Sequence, residues 1–220
     1  MLETPISILA TNDACHTRIQ ALLREKKIVM INMMSGPGAG KTSLLEKLLI
    51  SLKQKINVGV IEGDLYTAED AKRLERIAIP VVQINTQGAC HLDAFMIEKA
   101  LEQLPIDELD MIIIENVGNL VCPAEFKIGE HFKMMLSSVT EGNDKPKKYP
   151  LMFEVSDAII LSKMDLLPYV PFDALAFRKD IEAIHPGVKL FEVSTLAEKG
   201  LIELEAWFLN KLEELRCKEG

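Results

Sequence analysis

Short apolar runs rich in valine and isoleucine recur along the chain, each closed by turn or polar residues, and stretches with helical spacing separate them. The runs at 28–34, 58–62, 81–84, 111–115, 158–162 and 189–193 read as strands, and 42–53, 67–77, 93–104, 125–136, 172–183 and 199–215 read as helices. Strands alternating with helices through short links predict an α/β fold of three layers, a mostly parallel central sheet flanked by helices. A ligand then belongs beyond the carboxyl ends of the strands. Residues 1–25 read as a lead-in with a polar helix over 13–25, outside the core repeat. The polar stretch 140–150 holds two prolines and reads as a loop, since neither a core strand nor a long helix tolerates that composition.

The first strand runs straight into Ser35-Gly-Pro-Gly-Ala-Gly-Lys-Thr-Ser43, the pattern of a phosphate-binding loop. Gly36, Gly38, Ala39 and Gly40 let successive N–H groups turn inward on a di- or triphosphate, at the positive end of the following helix. Lys41 is placed to reach the terminal phosphates, Thr42 to ligate Mg²⁺, and Ser43 to stand beside them. The usual pattern has glycine where this chain has Ser35.

Two further segments fit a nucleotide. Met111-Ile-Ile-Ile-Glu115, followed by Asn-Val-Gly118, is an apolar strand ending in a carboxylate. Glu115 suits an outer-shell role at Mg²⁺, and the Gly118 N–H can touch a γ-phosphate. Asp64, ending Ile61-Glu-Gly-Asp64, is a candidate for placing Mg²⁺ or the attacking water; a helix N-cap is an equal alternative. Ser162-Lys-Met-Asp165 closes the fifth run. The Asp165 carboxylate can accept from guanine N1–H and its exocyclic amine while Lys163 packs along the ring, and such a site rejects adenine by ~10⁴-fold. Asparagine usually opens this motif; Ser162 there predicts weaker binding with unchanged specificity. Ser194 and Thr195 resemble the loop that closes over the base.

At 220 residues and 48 % hydrophobic, the chain reads as one domain over 1–220, with its core over 26–220. A formal charge of −8 argues against nucleic acid, and no apolar stretch approaches the ~20 residues of a membrane span. The first residues carry no basic-then-apolar leader. Four scattered cysteines predict a reducing, cytoplasmic setting.

Gly88-Ala-Cys-His-Leu-Asp93 follows the third run, and Cys122 lies just past the fourth. Cys90, His91 and Cys122 together offer two thiolates at ~2.3 Å and an imidazole at ~2.0 Å to a zinc-like cation. Three ligands leave a position open, which a twofold partner could close with its own set. Nickel and zinc both suit these donors. Cys15, His16, His131, His185 and Cys217 read as surface. Gly118 and Cys122 are four residues apart, at most about 14 Å of extended chain. Movement of Gly118 toward a γ-phosphate therefore tugs on Cys122, and couplings of about 1–3 kcal/mol are typical of such linkages.

With these segments, together with Ser138-Val-Thr-Glu-Gly-Asn-Asp-Lys-Pro-Lys-Lys-Tyr-Pro150 and Lys163-Met-Asp-Leu-Leu-Pro-Tyr169, the chain resembles the HypB family, the nickel-incorporation GTPases that mature [NiFe] hydrogenases. The resemblance covers nearly the whole chain from Asn12 on. It implies Mg²⁺-dependent GTP hydrolysis to GDP, homodimerisation dependent on GTP and metal, and Ni²⁺ or Zn²⁺ at Cys90, His91 and Cys122. It also implies two partners, a nickel-binding maturation protein and the hydrogenase large subunit. Some members carry an amino-terminal cysteine cluster or histidine-rich stretch; this chain shows neither, so a high-affinity terminal nickel site is not expected. Competing readings are a related GTPase serving urease or a cobalamin enzyme, a small-molecule kinase, and a structural zinc-linked dimer. A urease-type member is expected to show Cys-Pro-His, and a kinase would leave Asp165 and the Cys/His set unused.

Overall fold

The computed structural model describes residues 5–64 and 69–218. Among them, β1 (Val29–Ser35), β2 (Val58–Asp64), β3 (Val81–Asn85), β4 (Met111–Glu115), β5 (Phe132–Ser138), β6 (Ala158–Ser162) and β7 (Lys189–Glu192) form one sheet in the order β3-β2-β4-β1-β5-β6-β7. Every pairing is parallel, so the sheet is wholly and not mostly parallel. The principal helices are α1 (Pro5–Lys26), α2 (Lys41–Leu52), α3 (Glu69–Glu75), α4 (Ala94–Leu101), α5 (Cys122–Glu125), α6 (Lys145–Lys148), α7 (Pro150–Glu154), α8 (Ala174–Ile184) and α9 (Leu201–Lys218). The first positions of the helix expected over 67–77 lie outside the described residues. No described helix is long and apolar enough to cross a membrane.

The central strands are buried along their whole length because helices cover both faces. Val29, Ile31 and Met33 point to one face, against Leu44, Leu45 and Leu48 of α2 and Phe208 and Leu212 of α9. Met30, next in register, meets Cys15, Ile19 and Leu23 of α1 and Ile97 and Leu101 of α4 on the other. The amino-terminal helix is thus a wall of the core, longer than expected. Burial of side chains such as Ile19 and Leu23 contributes about 1.5–3 kcal/mol each. Cys15 belongs to this wall and not to the surface, being 2 % exposed.

One element differs in kind. The segment 125–136, read as a helix, is the short turn α5, an irregular stretch and then β5. Methionine, leucine and lysine are good helix formers, but propensity yields to tertiary context, and parallel pairing with β1 and β6 on both sides outweighs it. Gly129 also stops any helix here: its φ is +95°, and a Cβ would collide with the Ile19 side chain. In the 140–150 stretch the two prolines sit in the first turns of α6 and α7, where a missing N–H costs nothing, so the expected loop holds two short helices.

Candidate nucleotide and metal sites

A cavity of about 470 Å³ opens past the carboxyl ends of β1, β2 and β4. Pro37, Gly38 and Gly40 to Ser43 form one wall, and Asp64, Glu115 and Gly118 another. Gly38 and Gly40 take φ of +75° and +100°, the left-handed conformation that turns the loop into α2. Ser35, in the place of the usual glycine, has a defined job: Lys41 Nζ donates to its Oγ at 2.8 Å, which parks the ammonium in the loop. Thr42 Oγ1 donates to Glu115 Oε1 at 2.7 Å across the cavity floor. Glu62, paired in register with Glu115, lines the same floor with Asp64. Such an oxygen-only donor set fits a hard divalent cation such as Mg²⁺.

Lys163 and Ser162 reach the loop from β6. Lys163 Nζ donates to Gly38 O at 2.8 Å, and Ser162 Oγ donates to Ala39 O at 2.8 Å. The serine hydroxyl therefore braces the phosphate loop through a bond that an amide could also make. Asp165 lies just beyond, its Oδ1 accepting from Ser194 Oγ at 2.5 Å, with half-buried Thr195 next in the chain. These three groups stand outside the lining of the 470 Å³ cavity.

Behind the loop sits Glu141, whose Oε2 accepts from Ser138 N at 2.8 Å. Its Oε1 lies 2.5 Å from where a Cβ on Gly36 would stand, so a side chain there would push the carboxylate aside. Burial pushes the Glu141 carboxyl above the ordinary carboxylate range, against the Ser138 N–H and the charges of Lys145, Lys163 and Lys41.

On the neighbouring edge the structure brings Cys90, His91 and Cys122 together, their ligand atoms all within 4.8 Å of one another. The Cys90 thiol donates to Cys122 Sγ at 3.0 Å, and His91 Nδ1 is 3.7 Å from Cys90 Sγ. The His91 ring stacks on Phe126 at 3.9 Å between centroids, which fixes its plane. Burial lowers the His91 pKa despite Asp93 and Glu125, which favours the neutral ring. The Cys90 hydrogen bond and then burial raise the Cys122 thiol. Asp93, two residues on, caps α4 by accepting from Met96 N at 2.8 Å.

Among the other residues read as surface, only Cys217 is exposed. His16 Nδ1 accepts from Gly129 N at 2.9 Å, His131 Nδ1 from Met30 N at 3.0 Å, and half-buried His185 lies 3.3 Å from Phe153 O. All three serve as local braces. Glu62, Arg73 and Asn116 line the cavity and had gone without a role, as had the Ser35 hydroxyl beside Lys41. Arg73 of α3 bonds Glu46 at 2.6 Å and Ser43 Oγ at 3.2 Å beside the loop. No local pattern marks it, whereas Glu62 and Asn116 stand inside motifs visible in the sequence.

Residues 29–192 match the CobW/HypB/UreG nucleotide-binding domain family. The chain is 42 % identical over 217 residues to hydrogenase maturation factor HypB of Escherichia coli, covering 99 % of this chain and 73 % of that one. A crystal structure of HypB from Helicobacter pylori in complex with nickel superposes with a TM-score of 0.88 at 38 % identity, over 93 % of this chain and 96 % of the other. The hydrogenase maturation factor HypB from Archaeoglobus fulgidus gives a TM-score of 0.87 at 34 % identity, over 93 % and 100 %.

Proposed function

Since the chain belongs to the HypB hydrogenase maturation factors, we propose that it is a Mg²⁺-dependent GTPase that uses its nucleotide state to hold and release nickel for [NiFe] hydrogenase. The observation that carries this reading is the pairing of two sites by one short segment: Glu115 and Gly118 line the nucleotide cavity, and Cys122 closes the thiol-imidazole cluster.

In this reading the N–H groups of Gly36 to Gly40 cradle the β- and γ-phosphates, and Lys41 leaves Ser35 Oγ to meet them. Thr42, Asp64 and Glu115 would hold Mg²⁺, which when bound neutralises charge growing between the β- and γ-phosphates. Asp64 orients the attacking water, and Gly118 N–H contacts the γ-phosphate. Lys163 leaves Gly38 O to pack on guanine, Asp165 turns from Ser194 to accept its two donors, and Thr195 helps close the loop over it.

Nickel is the cargo. Cys90, His91 and Cys122 supply two sulfurs and one nitrogen, a set that takes zinc as well. Three donors leave room for a fourth, which a homodimer formed on GTP and metal binding closes; Val121, 49 % exposed beside Cys122, suits such an interface. The partners are a second nickel-binding maturation protein and the hydrogenase large subunit, in the cytoplasm.

The test joins turnover to metal. Phosphate release from GTP is measured for the native chain and for Lys41→Ala, and nickel retention by equilibrium dialysis without nucleotide, with GDP and with a non-hydrolysable GTP analogue. Turnover lost in the variant and retention that differs among the three states are expected. Undiminished turnover in Lys41→Ala would misassign the phosphate loop, and equal retention in all three states would end the gating reading.

A further inference from the structure

We propose that Asn116 is a positioning residue that carries the nucleotide state from the end of β4 to the Cys90–His91 segment. Asn116 is the first residue past β4 and is 1 % exposed. Its backbone N–H donates to Met33 O at 3.0 Å, which fixes it to the strand that enters the phosphate loop. Its side chain is held at three points. Oδ1 accepts from Val117 N at 2.9 Å and from Leu92 N at 3.2 Å, and Nδ2 donates to Asn32 Oδ1 at 3.1 Å.

The two bonds on Oδ1 carry the inference. Val117 and Gly118 line the nucleotide cavity, whereas Leu92 directly follows His91. One buried oxygen therefore serves both segments. A shift of Val117 and Gly118 toward a γ-phosphate moves that oxygen, and Leu92 must follow or lose its acceptor in a place where water cannot replace it. The covalent run from Gly118 to Cys122 acts on one sulfur; this bond acts on the imidazole and the other sulfur.

The far side of Asn116 is anchored. Asn32 Nδ2 lies 3.5 Å from Glu130 Oε1, and Glu130 Oε2 accepts from Ile128 N at 2.7 Å. Lys133 Nζ, 3.5 Å from Glu130, donates to Ala124 O and Phe126 O at 3.1 and 3.0 Å. Phe126 in turn stacks on His91, so this anchor faces the metal cluster from below. A second amide provides an internal control. Asn12 Oδ1 accepts from Ala94 N at 2.9 Å and its Nδ2 donates to Lys127 O at 2.9 Å, holding the same loop without touching the nucleotide cavity.

The inference rests on the gating reading above, and the experiment separates the two. Nickel dissociation constants are measured by competition with a chromophoric chelator, in GDP and in a non-hydrolysable GTP analogue, for the native chain, Asn116→Ala and Asn12→Ala. The native ratio between the two states is expected to be about 5-fold or more. Asn12→Ala should keep that ratio, and Asn116→Ala, with each nucleotide held at saturation because Asn116 itself lines the cavity, should bring it below about 2-fold. A native ratio of one removes the gating reading and this inference with it. A native ratio above 5-fold that survives in Asn116→Ala overturns the inference alone. Should Asn116→Ala not fold, hydrogen exchange of the Leu92 amide in the native protein decides: protection that changes between GDP and the analogue supports the link, and identical protection overturns it.

Discussion

Replacing Gly118 with alanine tests the γ-phosphate contact by steric means alone. The added methyl would stand 3.0 Å from Pro37 Cα, 3.2 Å from its N and 3.3 Å from its Cβ, inside ordinary van der Waals separation. All three atoms belong to the phosphate loop, and two are backbone, so no flexible side chain can swing away. Either the loop or the end of β4 must retreat by a few tenths of an ångström. Overpacking of this kind costs about 1–3 kcal/mol, a factor of roughly 5–150 in an equilibrium constant. If Gly118 N–H meets the γ-phosphate, the cost falls on the triphosphate state, which needs the segment close, and much less on the diphosphate state. Titration with fluorescent GDP and with a fluorescent non-hydrolysable GTP analogue reads the two directly. Loss of analogue affinity by about tenfold with GDP affinity changed by less than about threefold is expected. Equal losses for both nucleotides would place the strain in the loop itself and refute the γ-phosphate contact.

Three other outcomes are expected. Asp165→Asn exchanges an acceptor for a donor and should move preference from guanosine to xanthosine nucleotides; an unchanged GTP preference in competition would remove Asp165 from the base site. Cys122→Ala removes one of three ligands and should weaken nickel binding in equilibrium dialysis with GTP affinity close to native, whereas undiminished binding would point to another site. The raised Glu141 carboxyl gives a pH test whose sign is fixed. A carboxyl whose folded pKa lies above its unfolded one contributes stability that is full below the unfolded pKa and is lost as pH rises through the folded value. Glu141→Gln should therefore gain thermal stability relative to the native chain as pH rises across that window, and a difference between the two that stays constant with pH would show the carboxyl to be unperturbed.

Local patterns made most of the architecture legible, and the places where they failed share a cause. The runs at 28–34, 111–115 and 158–162 are central strands of a sheet covered on both faces, and such strands are apolar throughout, so composition alone exposes them. The phosphate loop and the Cys-His segment are likewise contiguous in sequence. Strand β5 stayed hidden because Phe132-Lys-Met-Met-Leu-Ser-Ser138 has neither the valine and isoleucine of its neighbours nor a turn signal stronger than Gly129. Its parallel pairing with β1 and β6 makes it a strand. Helix α1 was misjudged because, among its described side chains, the buried apolar ones are Cys15, Ile19 and Leu23, at a spacing of four among mostly polar residues.

The same distinction explains the site. A residue placed to meet a ligand through its own loop leaves a motif, and Lys41, Thr42 and Cys90 lie in such motifs. A residue that works by joining two remote segments does not. Asn116 stands 24 positions from Leu92 and 84 from Asn32, and nothing in Glu115-Asn-Val-Gly118 says which N–H its side chain will accept. Ser35 is the intermediate case: as a departure from glycine it was visible, yet its bond to Lys41 needed the fold to bring hydroxyl and ammonium to 2.8 Å. Where the candidate cation and nucleotide sites sit on adjacent strand ends, the chemistry is therefore written locally and the proposed communication between them is not. Communication depends on which buried amides the sheet order places side by side, and here the adjacency of β4 and β1 puts Asn116 against Asn32.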